Sequence, residues 1–204
     1  MYWIIDFYDL EWEEAAQYEL PFSYVEEHVK PQREDNRDRQ RREYWWRLGR
    51  SGSEWKAASS GLERSAFTAR VAKHRIFAWL SGNTLPDSAV VGFACADDFS
   101  FGILHSWLHE VWARAQGTQL RERESGFRYT PTTCFETFPF PWPPGDEPEG
   151  DAAVAAIAEA ARKLNELREN WLNPPEWTVT ETLEFPGSVD GPWARYVEEP
   201  DGRG

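Results

Sequence analysis

Near the middle of the chain, Arg121, Arg123 and Arg128 lead directly into Tyr129, Thr130, Thr132 and Thr133. A guanidinium is a planar fork that grips a guanine edge or a phosphate through paired hydrogen bonds. Threonine and tyrosine hydroxyls donate to phosphate oxygens. A second basic run extends from Lys30 to the group Arg70, Lys73, His74 and Arg75. Together the two runs supply the chemistry for holding a polyanion. Each also has a plain structural reading, the first as a packed corner and the second as a solvated helix.

The arginine–threonine group opens RYTPTTCFETFPFPWPP, residues 128–144, which holds four threonines, five aromatic residues and five prolines. A packed corner, a loop for a proline-reading partner and a surface against a polyanion all fit that composition. The two halves read differently. Arg128 to Thr133 carry the polar chemistry, and Phe135 to Pro144 read as a stiff, packed exit that holds the first half in place.

Other constellations carry less. Asn173-Pro174-Pro175 matches the start of the loop with which amino-methyltransferases hold a flipped base, but Glu176 follows where a stacking ring is needed. After a long helix, Asn-Pro-Pro is a stop signal. The G-x-G of Gly202 to Gly204 stands at the chain end without the strand and helix of a cofactor loop. His105 and His109 are four residues apart on an expected helix, a spacing that lets two imidazoles share a metal, but no third ligand is evident. Core or capping histidines are the simpler reading, and neither a metal site nor a catalytic residue is assigned. A nucleophile elbow is also absent.

The net charge of −13 argues against nucleic acid until its distribution is read. Residues 1–29 carry −8, residues 30–75 carry +7, and residues 142–204 carry −9. Phosphate binding follows local potential, so one basic segment between acidic ends is an interaction signal. The 12 tryptophans exclude a disordered chain. No apolar run is long enough to span a bilayer, and residues 1–29 lack the cations of a targeting peptide. Two cysteines are too few for a disulfide framework, which makes a reducing, cytoplasmic setting the expectation, and no membrane partner is expected.

The elements that must position these groups follow from periodicity and turn chemistry. Helices are predicted at 9–20, 21–30 and 31–49, a Ser/Gly-rich loop at 51–65, and strands at 64–70, 75–81 and 88–96. A helix is predicted at 101–117, with Leu104, Leu108, Val111, Trp112 and Ala115 on its apolar face. A polar loop (118–127) and an irregular strand with its proline-rich connector come next. The helix from Asp151 to Asn173 has Val154, Ile157, Ala161, Leu164, Leu167 and Trp171 on one face, and an acidic tail (176–204) follows.

Four stretches carry a resemblance: QYELPFSYVEEHVKPQREDNRDRQRREYWWRLGR, ARVAKHRIFAWL, LPDSAVVGFACADDFSFGILHSWLHEVWARAQGT and RYTPTTCFETFPFPWPP. In that order they resemble the C-terminal region of large prokaryotic DNA methyltransferases related to type IIG/IIL restriction-modification enzymes. The resemblance covers roughly residues 1–175. It implies a target-recognition domain whose parent enzyme binds S-adenosylmethionine and methylates adenine N6 in a separate catalytic domain. No cofactor is expected in this piece. It also implies that Gln119, Arg121, Arg123, Arg128, Tyr129, Thr130, Thr132 and Thr133 face the DNA.

The resulting expectation is an α+β fold: a small central mixed or antiparallel sheet with flanking helices and a C-terminal helical appendage. Residues 1–49 would link to the methyltransferase domain, 50–145 would form the recognition domain, and 146–204 the C-terminal helix and tail. The expected partners are double-stranded DNA and the parent's methyltransferase domain. The rival is a protein-interaction module that docks a partner subunit through aromatic and acidic surfaces.

Overall fold

The computed structural model describes residues 4–50, 52–119 and 126–179. The expected acidic tail lies mostly outside that range. The chain divides into two compact units, one of residues 1–96 and 107–138, the other of 97–106 and 139–204. The fold is α+β, with short helices around two small antiparallel sheets.

The first unit begins with α1 (Trp12–Ala15), α2 (Glu19–His28), α3 (Lys30–Arg33) and α4 (Arg39–Glu43). Their core is Phe7, Ala15, Phe22, Val25, Trp45 and Trp46. The expected helix over 31–49 is two shorter ones, divided at residues 34–38. Asp38 caps α4 by accepting from the Gln40 and Arg41 amides. Beyond Glu43 the backbone leaves helical geometry at Tyr44, and Trp45 and Trp46 turn inward. The Trp46 indole donates to the Leu10 carbonyl at 3.0 Å, and the Trp45 ring lies 5.4 Å from Phe22. Burying two indoles outweighs the propensity of a polar helix to continue.

The loop expected at 51–65 contains α5 (Ser53–Ser59). Trp55 is the reason: its Nε1 donates to the Thr84 carbonyl at 3.0 Å, and its ring packs on Phe67 at 5.2 Å. All three expected strands are present. β1 (Arg64–Ala69) is followed by β2 (Val71–Ala72), β3 (Phe77–Ser81) and β4 (Val90–Phe93). The first sheet has the order β3-β1-β4. Its register sets Thr68 opposite Phe77 and Ala66 opposite Phe93, so these four residues share one face. That face receives aromatic side chains from later in the chain.

The helix expected over 101–117 is two helices, α6 (Asp98–His105) in the second unit and α7 (Trp107–Gln116) in the first. Ser106 separates them with extended backbone at φ −64°, ψ 149°. The break changes the helical phase. Leu108 and Val111, expected inside, are 66 % and 46 % exposed, while His109 and Ala113 are fully buried. β5 (Thr118–Gln119), β6 (Phe127–Arg128) and α8 (Pro131–Cys134) complete the first unit. α8 replaces part of the expected irregular strand, with Thr130 extended at its cap and Pro131 at its start. The second sheet has the order β2-β6-β5.

In the second unit, α9 (Ala152–Leu172) follows its prediction closely. Asp151 caps it by accepting from the Ala153 amide at 2.7 Å and the Val154 amide at 3.2 Å. Gly102 of α6 lies against α9, where a Cβ would come within 2.7 Å of Ile157 Cγ2 and 3.2 Å of Ala161 Cβ. Arg162 bridges Asp98 and Glu159 at 3.3 and 2.7 Å. Among the described residues no helix is long and apolar enough to cross a membrane.

Candidate nucleic-acid interface

The small second sheet joins three parts of the sequence. Val71 pairs with Arg128 and Ala72 with Phe127; on the other side of β6, Thr118 pairs with Arg128 and Gln119 with Phe127. The segment from Arg70 to Arg75, the residues Thr118 and Gln119, and the start of the arginine–threonine run thus lie side by side. The Tyr129 amide extends this pairing by donating to the Arg70 carbonyl at 2.8 Å.

Along β6 the side chains alternate. Phe127 and Tyr129 are 2 % and 0 % exposed, and Arg128 between them faces solvent. Arg128 and the neighbouring Lys73 have no carboxylate partner among the described residues. His74, Gln119, Thr132 and Thr133 are also exposed, and Thr130 is half-buried at the start of α8. Gln119 reaches back to donate from Nε2 to the Gly126 carbonyl at 3.1 Å, and Thr133 Oγ1 donates to the Thr130 carbonyl at 3.4 Å. Arg121 and Arg123 lie between β5 and β6, outside the described residues.

Two residues expected to touch DNA are structural. Tyr129 is fully buried, and its hydroxyl hydrogen-bonds His109 Nε2 at 3.1 Å. Burial pushes its phenol pKa above the ordinary value, with Cys134 adding to the shift and Arg75 opposing it. Around it stand Phe77 at 6.2 Å and Phe93 at 6.0 Å. Phe135 packs on Phe93 at 5.0 Å and Phe138 on His109 at 4.9 Å, so the start of the proline-rich exit anchors in the same cluster. The inward direction of Tyr129 follows from the alternation that turns Arg128 out.

Arg75 is the second. Its Nη1 donates to the Ala69 carbonyl and, at 3.3 Å, to Thr68 Oγ1; its Nη2 donates to the Phe127 carbonyl at 3.1 Å. Its Cζ lies 4.7 Å from the Phe127 ring centre and 5.2 Å from that of Tyr129. Burial lowers its pKa from the usual guanidinium value. Arg75 therefore ties the end of β1 to β6 and is largely committed to the protein's own carbonyls. Arg70 is partly committed as well, with Nε donating to the Ser88 carbonyl at 2.8 Å.

Arg114 belongs to this site and was missed in the sequence. It sits over the Phe127 ring, 5.4 Å from its centre, and donates to the Lys73 carbonyl at 3.4 Å. Its i,i+4 spacing from Glu110, with which it pairs at 2.7 Å, is the signal that could have marked it as a positioned cation. Thr118, directly opposite Arg128, was missed too, because a two-residue strand has no readable periodicity.

His105 and His109 fall on two helices, α6 and α7, divided at Ser106, not on the one helix expected. His105 Nδ1 hydrogen-bonds the Phe101 carbonyl at 3.0 Å. Among the described residues no group of three or more His, Cys, Asp or Glu is placed to hold a metal.

On the outer face of the β2-β6-β5 sheet, exposed Arg128 stands in register between Val71 and Thr118, over buried Phe127 and Tyr129. Such a surface can donate to phosphate oxygens and offer a guanidinium fork to a base edge. A family model described as MmeI, target recognition domain, matches residues 24–142, more than half of the chain. No curated protein and no solved structure matches it.

Proposed function

We infer, from the premise that this chain belongs to the MmeI target recognition domain family, that it binds duplex DNA in a sequence-specific way. The reading extends to a restriction-modification enzyme whose catalytic domain methylates adenine N6 with S-adenosylmethionine. In this reading the present chain carries specificity and none of the chemistry. Lys73, Thr132 and Thr133 contact phosphates and set the register. Arg128 reads a base edge in the major groove, with Arg121 and Arg123 extending that reading along the segment before it. Arg75 and Tyr129 fix the direction in which Arg128 projects.

The observation that carries this reading is the position of Arg128: exposed, between two buried aromatic residues, and without a carboxylate partner among the described residues. A fork held on a strand loses less freedom on binding than one on a loose loop. The test is Arg128→Ala in the parent enzyme, read by mapping methylated sites and by anisotropy on the mapped duplex. Specific binding should weaken by about 1–3 kcal/mol, and target choice should relax at one position. Unchanged affinity together with an unchanged methylation pattern would refute the assignment.

The docking alternative draws on α7, where Trp107, Leu108 and Val111 are exposed. In that reading the strip supplies the aromatic surface that docks a partner subunit. Salt separates the two activities, since duplex binding falls steeply with ionic strength and an aromatic contact does not.

A further inference from the structure

A cleft of about 220 Å³ lies in the helical part of the first unit, lined by Arg33, Arg41, Arg47 and Arg50 with Tyr44 and Asp9. Four guanidinium groups and one carboxylate line it, and Glu11 and Asp38 pair with Arg47 and Arg41, which leaves positive charge in excess. Two of the guanidinium groups are held in place by the protein. Arg33 Nη1 donates to the Trp45 carbonyl at 2.9 Å and to the Arg47 carbonyl at 2.5 Å. Arg47 donates from Nε to the Leu10 carbonyl at 3.1 Å, pairs with Glu11 at 2.9 Å, and stacks on the Tyr44 ring at 4.5 Å.

The other two are not committed in this way. Arg41 is exposed and makes a long ion pair with Asp38 at 3.6 Å. Arg50 is exposed and has no carboxylate partner among the described residues. Gly49 makes room for Arg41, since a Cβ there would come within 3.1 Å of Arg41 Nε. Desolvation and, next, the charge of Arg41 both lower the pKa of Arg33. Asp9, Glu11 and Asp38 do not balance four guanidinium groups, and an anion in the cleft offsets the repulsion that remains. Guanidinium forks match phosphate oxygens in geometry as well as charge.

We propose that this cleft clamps one backbone phosphate of the duplex, apart from the base-reading sheet, with Arg33 and Arg47 as fixed walls and Arg41 and Arg50 closing on the anion. The proposal rests on the duplex-binding reading above. It adds a phosphate contact to the helical segment, which the sequence would leave as a linker.

The test uses the whole chain, with duplexes carrying the mapped target or a scrambled sequence, between 50 and 200 mM salt. The Arg41→Gln, Arg50→Gln double variant should weaken binding to both duplexes by the same factor. One lost phosphate contact removes about 0.9 from the salt slope, so the wild-type advantage should shrink roughly 3.5-fold across that range. The corresponding double lysine variant should keep the slope. Should the glutamine pair unfold, Arg50→Gln alone makes the measurement.

An unchanged slope and affinity would overturn the clamp, and target relaxation by Arg128→Ala in the same assay would leave the recognition reading standing. The reverse pattern would keep the clamp and remove the base-reading role of Arg128. Absence of duplex binding by the wild-type chain would count against both. Inorganic phosphate that shifts the Gly49 and Arg50 amide resonances, where duplex does not, would identify a free-anion site and overturn the clamp.

Discussion

Gly126→Ala should separate the two strands that present Arg128. Gly126 has φ +85°, and a Cβ would lie 2.1 Å from the Ala72 carbonyl oxygen, 2.3 Å from its carbon and 2.4 Å from the Lys73 nitrogen. All three are backbone atoms, so no side-chain rotation relieves the contact. β2 must move off β6. The Tyr129–Arg70 and Arg75–Phe127 hydrogen bonds, at 2.8 and 3.1 Å, then stretch or break. The left-handed backbone costs an L-residue about 1–2 kcal/mol. Two hydrogen bonds add about 1–3 kcal/mol. The total loss is about 2–5 kcal/mol. Gly61→Ala is the matched control, because Gly61 has φ +79° with nothing within 4 Å of its Cβ position. It should lose only the backbone part, about 1–2 kcal/mol. Urea unfolding of both variants gives the difference directly. A Gly126→Ala loss no larger than that of Gly61→Ala would refute the close β2–β6 approach and, with it, the rigid display of Arg128.

Three further outcomes follow from the same packing. Tyr129→Phe removes the hydroxyl partner of buried His109 and should cost about 1–3 kcal/mol in urea unfolding, with the salt slope of duplex binding unchanged. Arg75→Lys replaces a fork that spans Thr68, Ala69 and Phe127 with a point charge, and thermal unfolding should show a loss of about 2 kcal/mol. Asp151→Ala removes the α9 cap and should cost about 1 kcal/mol, read as lower far-UV helicity and a lower midpoint.

The parts of this fold that can be read from the sequence are those set by local rules. β1, β3 and β4 are apolar or β-branched runs between turn residues, and α9 has a capping Asp151 and a stop at Asn173-Pro174. The helices at 31–49 and 101–117 look continuous locally, and neither is. The first breaks at residues 34–38, where Asp38 caps α4, and ends at Tyr44, after which Trp45 and Trp46 turn into the Phe7 and Phe22 core; in the second, Ser106 takes extended backbone and His109 faces the sheet. β2, β5 and β6 have two residues each, too few for periodicity, and pairing between distant segments defines them.

The candidate site divides along the same line. Its residue types are visible locally, but their exposure is not. Arg75 and Arg128 are chemically identical, and only the second faces outward without a recorded partner. Arg128 and Tyr129 are expected on the same DNA-facing side, whereas the structure turns Arg128 out and buries Tyr129.

The packing of α6 on α9 has a practical consequence for anyone trimming this protein. A fragment cut at residues 24 and 142 follows the family boundaries yet discards the helix that covers Gly102. It also removes Phe7, Ala15 and Phe22 from beneath Trp45 and Trp46. Both losses bare oily surface in what remains, and such a piece should clump during purification. The shortest well-behaved version must keep the amino-terminal helices and run through Leu172.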